Sequence, residues 1–425
     1  MREISFNNLK SILSKNKTTK NNQQVKKTVS VIIEDIRKNG DKAVLKYVKN
    51  FENKNATLNS LIIDPKVLKE SYKSITKEQK KALKLSYERI KFYHSKQAKK
   101  NYEFKDELDT NFSVRWNPIE NVGLYVPGGL ASYPSTVLMT AIPAKIAGVK
   151  NIMISVPSAG GKVSKLTLAA AYLCKVNKVY NLGGAQAIAA FAFGTKTIQK
   201  AYKVFGPGNQ FVAEAKKQLF GTIGVDLPAG PSEILILADK FSKPYLIAID
   251  ILAQAEHDPN AKTYLISSSK TLIKEVIKQI KFNQKLYKFK NADQSLKNFS
   301  FALFAKNSSE MTEISNFIAP EHLHIQLKNS KKIEKNIINA GSVFIGEQNS
   351  VALGDYSIGT NHVLPTDQSA KYSSGLSVDD FVKKTVFVKV GKKTFSKIAK
   401  KTIELAKSEG LDAHALSIEI RVGKS

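Results

Sequence analysis

The stretch Val122-Gly-Leu-Tyr-Val-Pro-Gly-Gly opens the part of the chain that decides the fold. Its apolar residues are typical of a buried strand, and Pro127 with the glycines after it indicates a turn into a helix that begins near Pro134. Further elements alternate after it: strands at 151–156 and 178–181, and helices at about 162–173 and 184–194. Strands and helices at this spacing are typical of right-handed units of a parallel sheet. The sequence therefore predicts a Rossmann-like layer.

A second α/β series follows the Pro- and Gly-rich crossing Val225-Asp-Leu-Pro-Ala-Gly-Pro-Ser-Glu. Its predicted elements are strands at 234–237, 263–267, 301–305, 321–327 and 342–345, with helices at 242–256 and 270–282. Residues 25–121 are mainly helical in pattern, with helices at about 25–39, 41–51 and 77–98 and a strand at 58–63. Because such a helical stretch cannot close a sheet alone, we expect it to complete the second series.

The predicted fold class is α/β, with two Rossmann-like domains, one of them discontinuous, and small N- and C-terminal extensions. A chain of 425 residues exceeds the size at which one core keeps growing, so more than one domain is expected. The predicted division is an N-terminal arm at 1–24, a first domain at 25–124 and 233–375, a second domain at 125–232, and a C-terminal tail at 376–425. The tail contains a predicted strand at 385–390 and a helix at 393–408.

The formal net charge of +30 raises the question of nucleic-acid binding. Of the 66 basic residues only five are arginine, so 61 are lysine. Arginine is the residue preferred for planar recognition of phosphates and bases, and the lysines are scattered along predicted helices. We therefore expect no specific nucleic-acid partner.

Membrane association and thiol chemistry are not expected either. No apolar run approaches the roughly 20 residues that span a bilayer, and the first residues contain no apolar signal core. We predict a cytoplasmic protein. The single cysteine, Cys174, lies in a predicted apolar helix, which favours a buried, inert thiol over a nucleophile.

Candidate site residues begin with Ile251-Leu-Ala-Gln-Ala-Glu-His-Asp-Pro. Gln254 and His257 stand three apart and so share one helix face, and Pro259 ends the helix just beyond them. A ligand could therefore bind at the C-terminal end of this helix.

Histidine is rare in this chain, and most of its positions lie in turn-rich or acidic segments: His257, His322, His324, His362 and His414. A divalent metal needs three or four imidazole, carboxylate or carbonyl donors from different segments. Gln254, His257, Asp355 and His414 are candidate ligands, although each alone also fits a hydrogen-bonded structural role.

The segment Pro320-Glu-His-Leu-His begins a predicted strand with an acid and an imidazole side by side. At the first residues of a strand, Glu321 and His322 can both reach one pocket and act as general bases on an alcohol or a water. His324 alternates onto the side of His322 and is alternatively only a partner on the sheet face.

Two glycine turns each lead into a helix, Gly183-Gly-Ala-Gln-Ala-Ile and Phe205-Gly-Pro-Gly-Asn-Gln. No Gly-x-Gly-x-x-Gly follows any predicted strand, so the usual dinucleotide fingerprint is missing. The turns are either tight strand-to-helix connections or sites where a phosphate approaches a helix N-terminus. The glycines alone favour the tight connections over a phosphate site.

Taken together, the motifs resemble the histidinol dehydrogenase family from about residue 25 onward. Single motifs are weak, but their order along the chain is specific. The motifs are Gly123-Leu-Tyr-Val-Pro-Gly-Gly, Tyr133-Pro-Ser-Thr-Val-Leu-Met, Gly183-Gly-Ala-Gln-Ala-Ile, Phe205-Gly-Pro-Gly-Asn, Asp226-Leu-Pro-Ala-Gly-Pro-Ser-Glu, Gln254-Ala-Glu-His-Asp, Ala319-Pro-Glu-His-Leu, Gly359-Thr-Asn-His-Val-Leu-Pro-Thr, Tyr372-Ser-Ser-Gly-Leu-Ser-Val and Glu409-Gly-Leu.

The resemblance implies oxidation of L-histidinol through L-histidinal to L-histidine with two NAD and one zinc ion per subunit. It also implies a homodimer with shared active sites and a tail swapped between subunits. By motif, the implied zinc ligands are Gln254, His257, Asp355 and His414, and the implied acid–base pair is Glu321 and His322. The implied substrate contacts are Ser232, His362 and Glu409 together with the zinc ligands and His322, and the implied NAD contacts are Tyr125, Gln186 and Asn209.

The resemblance also assigns the metal and catalytic residues to the first domain and NAD to the second. Three alternatives remain: a related metal- and NAD-dependent alcohol dehydrogenase of the same fold, a metal-dependent hydrolase using Glu321, and a basic RNA-binding protein. The first would be expected to lack the contacts from His362 and Glu409, and this sequence keeps both.

Overall fold

A computed structural model of the chain describes residues 1–15, 20–128, 133–158, 160–227, 230–289 and 291–423, without the side chains of residues 15 and 20–22. Parts of two predicted turns, Gly129 and the pair Pro228 and Ala229, lie outside these ranges.

The strands alternate with helices along most of the chain, as predicted. In chain order they are β1 (Arg2–Glu3), β2 (Ile62–Ile63), β3 (Tyr102–Lys105), β4 (Asn111–Pro118), β5 (Asn121–Tyr125), β6 (Asn151–Val156), β7 (Lys178–Asn181), β8 (Lys203–Phe205), β9 (Gly224–Val225), β10 (Glu233–Ala238), β11 (Lys262–Ser267), β12 (Ser300–Phe304), β13 (His322–Gln326), β14 (Ser342–Ile345) and β15 (Val382–Lys389).

The helices are mostly short and connect the strands. They are α1 (Phe6–Lys15), α2 (Lys20–Asn39), α3 (Asp41–Phe51), α4 (Pro65–Ser74), α5 (Lys77–Ser95), α6 (Pro134–Ile146), α7 (Lys165–Leu173), α8 (Gly184–Phe193), α9 (Gln210–Leu219), α10 (Pro244–Ala255), α11 (Lys270–Leu286), α12 (Ala292–Phe299), α13 (Ser308–Ile318), α14 (Lys331–Glu334), α15 (Ala352–Tyr356), α16 (Lys392–Ser408) and α17 (Asp412–Val422).

The first sheet has the strand order β2-β7-β6-β5-β8-β9. All neighbours are parallel except β2, which runs antiparallel to β7. Numbered from β5, the five parallel strands have the order 3-2-1-4-5, so the order reverses between β5 and β8. This arrangement confirms the predicted Rossmann-like layer.

The second sheet repeats that order. Its strands are β1-β12-β11-β10-β13-β14, all parallel, and numbered from β10 the last five again read 3-2-1-4-5. The central strand β10 is buried throughout, with Ile234 and Ile236 in the core on one face and Leu235 and Leu237 in the core on the other. Continuous apolar runs form such strands because helices cover both faces of a parallel sheet.

The prediction that residues 25–121 complete the second series is wrong. Helices α2 and α3 pack with α8 and α9 against the first sheet, and α4 and α5 pack there with α6 and α7. The physical reason lies in α8, whose residues 185–192 are all buried, so its outer side also needs apolar cover. The second sheet is completed instead by β1 and by Leu9 of α1.

The N-terminal arm therefore packs against the second sheet. The predicted domain boundaries stay a prediction.

A third, antiparallel sheet, β15-β4-β3, joins the tail to residues 102–118. The sequence did not predict β3, β4, α4 or α17, and most of its 58–63 strand is a 3₁₀ turn at Asn59–Leu61. None of the described helices combines the length and apolar content that a bilayer span requires.

Candidate active site

A cavity of about 300 Å³ lies between the two parallel sheets. Residues from both sheets line it, and most of the sequence-predicted site residues are among them: Asn209, Ser232, Gln254, His257, Glu321, His322, Asp355 and His362. These side chains come from segments more than 150 residues apart in the chain, so the fold brings them together.

The first sheet contributes the loops that follow β5 and β8, through Pro127 and residues 207–209. These are the carboxyl ends of the two strands between which the order reverses, where open α/β sheets bind ligands. Asn209 is the N-cap of α9, and its Oδ1 accepts hydrogen bonds from the backbone N–H groups of Phe211 and Val212 at 3.0 and 3.2 Å.

A buried ion pair holds the turn before Asn209. The Lys216 ammonium pairs with Asp226 and donates to the carbonyl of Gly206, whose N–H donates to the other Asp226 oxygen at 2.6 Å. Gly206 has φ +107°, and a Cβ there would collide with the carbonyl oxygen of Tyr125. Only glycine fits this close approach of two strand ends.

The second sheet faces the cavity with its amino edge, where its strands begin. Ser232 precedes β10, and Glu321 and His322 stand at the start of β13. Gln254 and His257 lie at the C-terminal end of α10, which runs back from the carboxyl edge of the sheet to its amino edge. The amino edge therefore collects donors from strand beginnings and from a helix end.

Glu321 and His322 are 5% and 4% exposed, and the backbone of Glu233 positions both. The N–H of Glu233 donates to Glu321 Oε2 at 2.8 Å, and His322 Nδ1 donates to the Glu233 carbonyl at 3.0 Å. Because Nδ1 carries the proton, Nε2 is the nitrogen that can accept one. The prediction that both side chains reach one pocket is confirmed.

Burial governs the protonation of this pair. It raises the pKa of Glu321 well above its usual range, and the neighbouring carboxylates of Glu233 and Asp355 act in the same direction. Burial lowers the pKa of His322, with Asp355 opposing the shift. A neutral imidazole in this position is ready to act as a base.

Gln254, His257 and Asp355 face the cavity as three nitrogen or oxygen donors. His257 Nε2 lies 3.9 Å from Asp355 Oδ2, and Gln254 is 6% exposed. Across the described residues, no three His, Cys, Asp or Glu side chains come together as a metal site. Within this chain, the candidate metal donors are therefore the imidazole of His257, the carboxylate of Asp355 and the amide of Gln254.

His362 extends the same wall of the cavity. Its Nδ1 lies 3.1 Å from the Asp355 carbonyl and its Nε2 lies 3.4 Å from Thr136 Oγ1. Burial lowers the pKa of this imidazole, while the nearby Asp355 carboxylate opposes the shift. Arg89 holds the preceding loop by donating to the carbonyls of Ser357 and Ile358 at 2.7 and 3.1 Å.

Four predicted residues do not line the cavity. Tyr125 and Gln186 are buried at the carboxyl edge of the first sheet, where Tyr125 Oη accepts from the N–H of Gly184 at 3.1 Å and Gln186 donates to Glu52 at 3.1 Å. Glu409 and His414 are exposed in the tail.

Sequence reasoning did not identify Glu233, whose backbone holds the predicted acid–base pair. Its carboxylate is buried and accepts from Lys262 Nζ at 2.8 Å. The available signal was an acidic residue that opens an otherwise apolar strand. Such a residue also fits the exposed end of a strand, so the pattern alone does not distinguish the two.

Known proteins resemble this chain over nearly its whole length. A sequence model described as histidinol dehydrogenase matches residues 15–422 of the chain. Histidinol dehydrogenase from Pelagibacter ubique is 44% identical over 421 residues, which cover 97% of this chain and 96% of that protein. Histidinol dehydrogenase from Clostridium acetobutylicum is 43% identical over 409 residues, with 96% of this chain and 94% of that protein covered.

A solved structure agrees with the sequence relatives. The crystal structure of histidinol dehydrogenase from Elizabethkingia anophelis superimposes with a TM-score of 0.89 at 35% identity, covering 94% of this chain and 92% of that chain. The agreement extends over nearly the whole length of both chains.

Proposed function

The chain belongs to the histidinol dehydrogenase family, and from this premise we propose that it oxidises L-histidinol through L-histidinal to L-histidine. The proposed reaction uses two NAD and one zinc ion per subunit. The observation that carries the proposal is the buried pair of Glu321 and His322, at a cavity that Gln254, His257 and Asp355 also face.

The donor chemistry supports the zinc assignment. Imidazole nitrogen and carboxylate or amide oxygen suit zinc without a thiolate, and burial raises the pKa of the Cys174 thiol to about 12, which keeps it inert. Gln254, His257 and Asp355 would hold the ion together with His414 of a second copy. Bound there, zinc supplies a Lewis acid that orients the amine and imidazole nitrogens of the substrate.

Two oxidations in one site require two different proton transfers. In the alcohol step, His322 Nε2 accepts the hydroxyl proton as the carbon-bound hydride passes to NAD. The aldehyde has no hydroxyl, so a water must add first, and Glu321 takes a proton from that water. As the water adds, His322 returns its proton to the aldehyde oxygen, and it then accepts a proton from the hydrate as the second hydride passes to a second NAD. Ser232 and His362 line the same cavity and would hold the substrate.

The first sheet supports the NAD assignment by its strand order, because its carboxyl edge opens onto the cavity. Asn209 lies at that opening. Tyr125 and Gln186 are buried next to this opening and do not line the cavity. The Tyr125 hydroxyl holds the turn at Gly184, and Gln186 donates to Glu52. In the proposed complex, both residues therefore support the NAD site.

The exposed tail supports a dimer with shared sites. Glu409 and His414 are exposed, and so are apolar side chains around them, namely Leu405, Leu411, Leu416 and Ile420. Such a surface gains stability by docking on another copy. We propose that the tail of one subunit completes the cavity of the other with His414 and Glu409.

Complementation between two inactive variants tests the shared site. In a mixture of His257→Ala and His414→Ala, random exchange makes about half of the dimers mixed, and each mixed dimer contains one intact site. About a quarter of the parent activity should therefore return. No return after demonstrated subunit exchange would assign the tail to its own subunit.

The reaction itself is tested by following NADH with histidinol as substrate and zinc-loaded protein. Two NADH per histidinol support the proposal, whereas one NADH indicates a related alcohol dehydrogenase that stops at the aldehyde. No NADH at all would contradict the proposal. The cytoplasmic location and the absence of a specific nucleic-acid partner stay predictions.

Metal removal tests the zinc assignment separately. Dialysis against a chelator should abolish activity and added zinc should restore it, with manganese or cobalt as partial substitutes because the donors are nitrogen and oxygen. Full activity in protein shown to contain no metal would contradict the assignment.

A further inference from the structure

We propose that Asp250 is a positioning residue whose carboxylate fixes three elements of the active site relative to one another. These elements are α10, β13 and the segment formed by α15 and the turn before it, which carry the proposed zinc ligands and the proposed base. The inference rests on the proposed function for the roles of those side chains, but the contacts that support it lie outside the cavity.

On α10, Asp250 shares one face with the proposed ligands. Asp250, Gln254 and His257 are spaced by four and then three residues, so they project from the same side of the helix. Asp250 lies about one turn behind Gln254, on the side away from the helix end. Its side chain is 12% exposed.

The first contact joins α10 to β13. Gln326 Nε2 donates to Asp250 Oδ2 at 3.1 Å and to Nδ1 of His324 at 3.2 Å. His324 is 0% exposed, and its Nε2 donates to the carbonyl of Gly346 at 3.0 Å. His322, His324 and Gln326 alternate along β13 and so face the same side of the sheet. Anchoring Gln326 and His324 therefore fixes the position of His322 relative to α10.

The second contact joins α10 to the segment that carries Asp355. Ser350 Oγ donates to Asp250 Oδ1 at 3.1 Å. Ser350 lies two residues before α15 and five before Asp355. The two oxygens of one carboxylate therefore accept hydrogen bonds from two different elements.

A carboxylate suits this position because it accepts on both oxygens. An asparagine in its place has one acceptor and one donor group and no charge, so Gln326 and Ser350 can no longer both donate to it, and one of them must reverse its role or lose its partner. Hydrogen bonds to a charged acceptor in a poorly solvated site are also stronger than neutral ones. The change from Asp250 to asparagine therefore keeps the shape of the side chain and weakens the links.

The main test measures zinc affinity in Asp250→Asn by competition with a chromophoric chelator. Loss of a group that bonds a metal ligand directly weakens metal affinity by roughly 10–100-fold, and because Asp250 acts through Gln326 and Ser350 we expect a smaller loss, of roughly two- to tenfold. The matched control is Asp293→Asn on α12, an exposed carboxylate that also accepts from a glutamine amide, Gln284, at 2.5 Å. The control should retain the parent zinc affinity.

A second readout needs no metal. Hydrogen exchange in the metal-free protein should be faster in peptides covering residues 350–358 of Asp250→Asn than in the parent or the control. Should Asp250→Asn not fold, Ser350→Ala removes only the link to the segment of Asp355 and should also speed exchange in the same peptides.

Parent-level zinc affinity together with parent-level exchange in a folded Asp250→Asn protein would overturn the proposal. So would a variant that melts earlier but binds zinc like the parent, because a merely structural residue behaves in that way. If the parent itself binds no zinc, the proposed function fails, and the exchange comparison alone decides the role of Asp250.

Discussion

The two parallel sheets have the same strand order but meet the cavity with opposite edges. The first sheet presents the carboxyl ends of β5 and β8, and the second presents the amino ends of β10 and β13. Strand order therefore locates the expected ligand crevice in the first sheet only. In the second sheet, strand order does not indicate the site, and the candidate catalytic residues are recognised by the acidic and imidazole side chains at the amino edge.

The two edges also differ in composition. The edge of the first sheet meets the cavity with Pro127, Pro207, Gly208 and Asn209, none of which is charged. The edge of the second sheet meets it with Glu321, His322 and His257, and the segment after β14 adds His362 and the carboxylate of Asp355. We infer a division of labour, with NAD bound by the first sheet and proton transfer performed by the second.

The largest expected effect comes from the amino edge of the second sheet. Glu321→Gln should slow oxidation of histidinal by roughly 10²–10⁴-fold, as expected for a general base, and oxidation of histidinol far less. His322→Asn should slow both steps. Single-turnover NADH formation with each substrate measures this. Equal losses on both substrates for Glu321→Gln would contradict the assigned roles, and a large rise in KM for NAD would contradict the division between the sheets.

In the first sheet, the largest effect should be on stability. Lys216→Met leaves the Asp226 carboxylate buried without its partner, and breaking such a pair costs roughly 3–5 kcal/mol of unfolding free energy. Denaturant unfolding measures the loss, with the exposed neighbour Lys217→Met as control. A loss below 1 kcal/mol would mean that the pair does not hold the turn at Gly206.

The pH dependence of activity distinguishes the roles of the two sheets. Below the pKa of a catalytic base, kcat/KM falls by about tenfold per pH unit. Burial raises the pKa of Glu321, and the carboxylate is the form that acts as base, so kcat/KM for histidinal should fall as pH drops through that raised value. The decline should lie above the usual glutamate range near 4.3. Glu321→Gln should lack this limb, whereas Asn209→Ala should keep it. A limb that persists in Glu321→Gln would assign the titration to another group.

The smallest effect is expected at the carboxyl edge of the first sheet. Asn209→Ala removes the cap of α9, which costs about 1 kcal/mol of stability, and the proposed contact to NAD, whose loss should raise KM for NAD about five- to tenfold. The kcat at saturating NAD should change little. Asn307→Ala removes the corresponding cap of α13 and should lower stability without changing KM for NAD. Equal KM values in the two variants would remove Asn209 from the NAD site.

The strand and helix alternation from residue 121 onward was predictable because apolar runs and glycine turns are local signals. The packing of residues 25–95 was not, because an amphipathic helix such as α2 reveals that one face is buried but not which sheet buries it. Local sequence patterns likewise could not show that Gln254 and Asp355 lie in the same cavity, because the two residues are far apart in the chain. The family resemblance suggested that convergence, since it encodes contacts between distant segments.

The pairing of β1 with β12 has a consequence for the order in which the protein is built. Arg2 lies opposite Phe301, so β1 can join its sheet only after some 300 further residues have been synthesised. At ribosomal speeds of about 5–20 residues per second, that delay is roughly 15–60 s. The helices covering the first sheet, by contrast, are all made before or between its strands, within residues 20–219. During translation the first sheet can close early, while the edge of the second sheet at β12 stays open until the opening residues of the chain return to it.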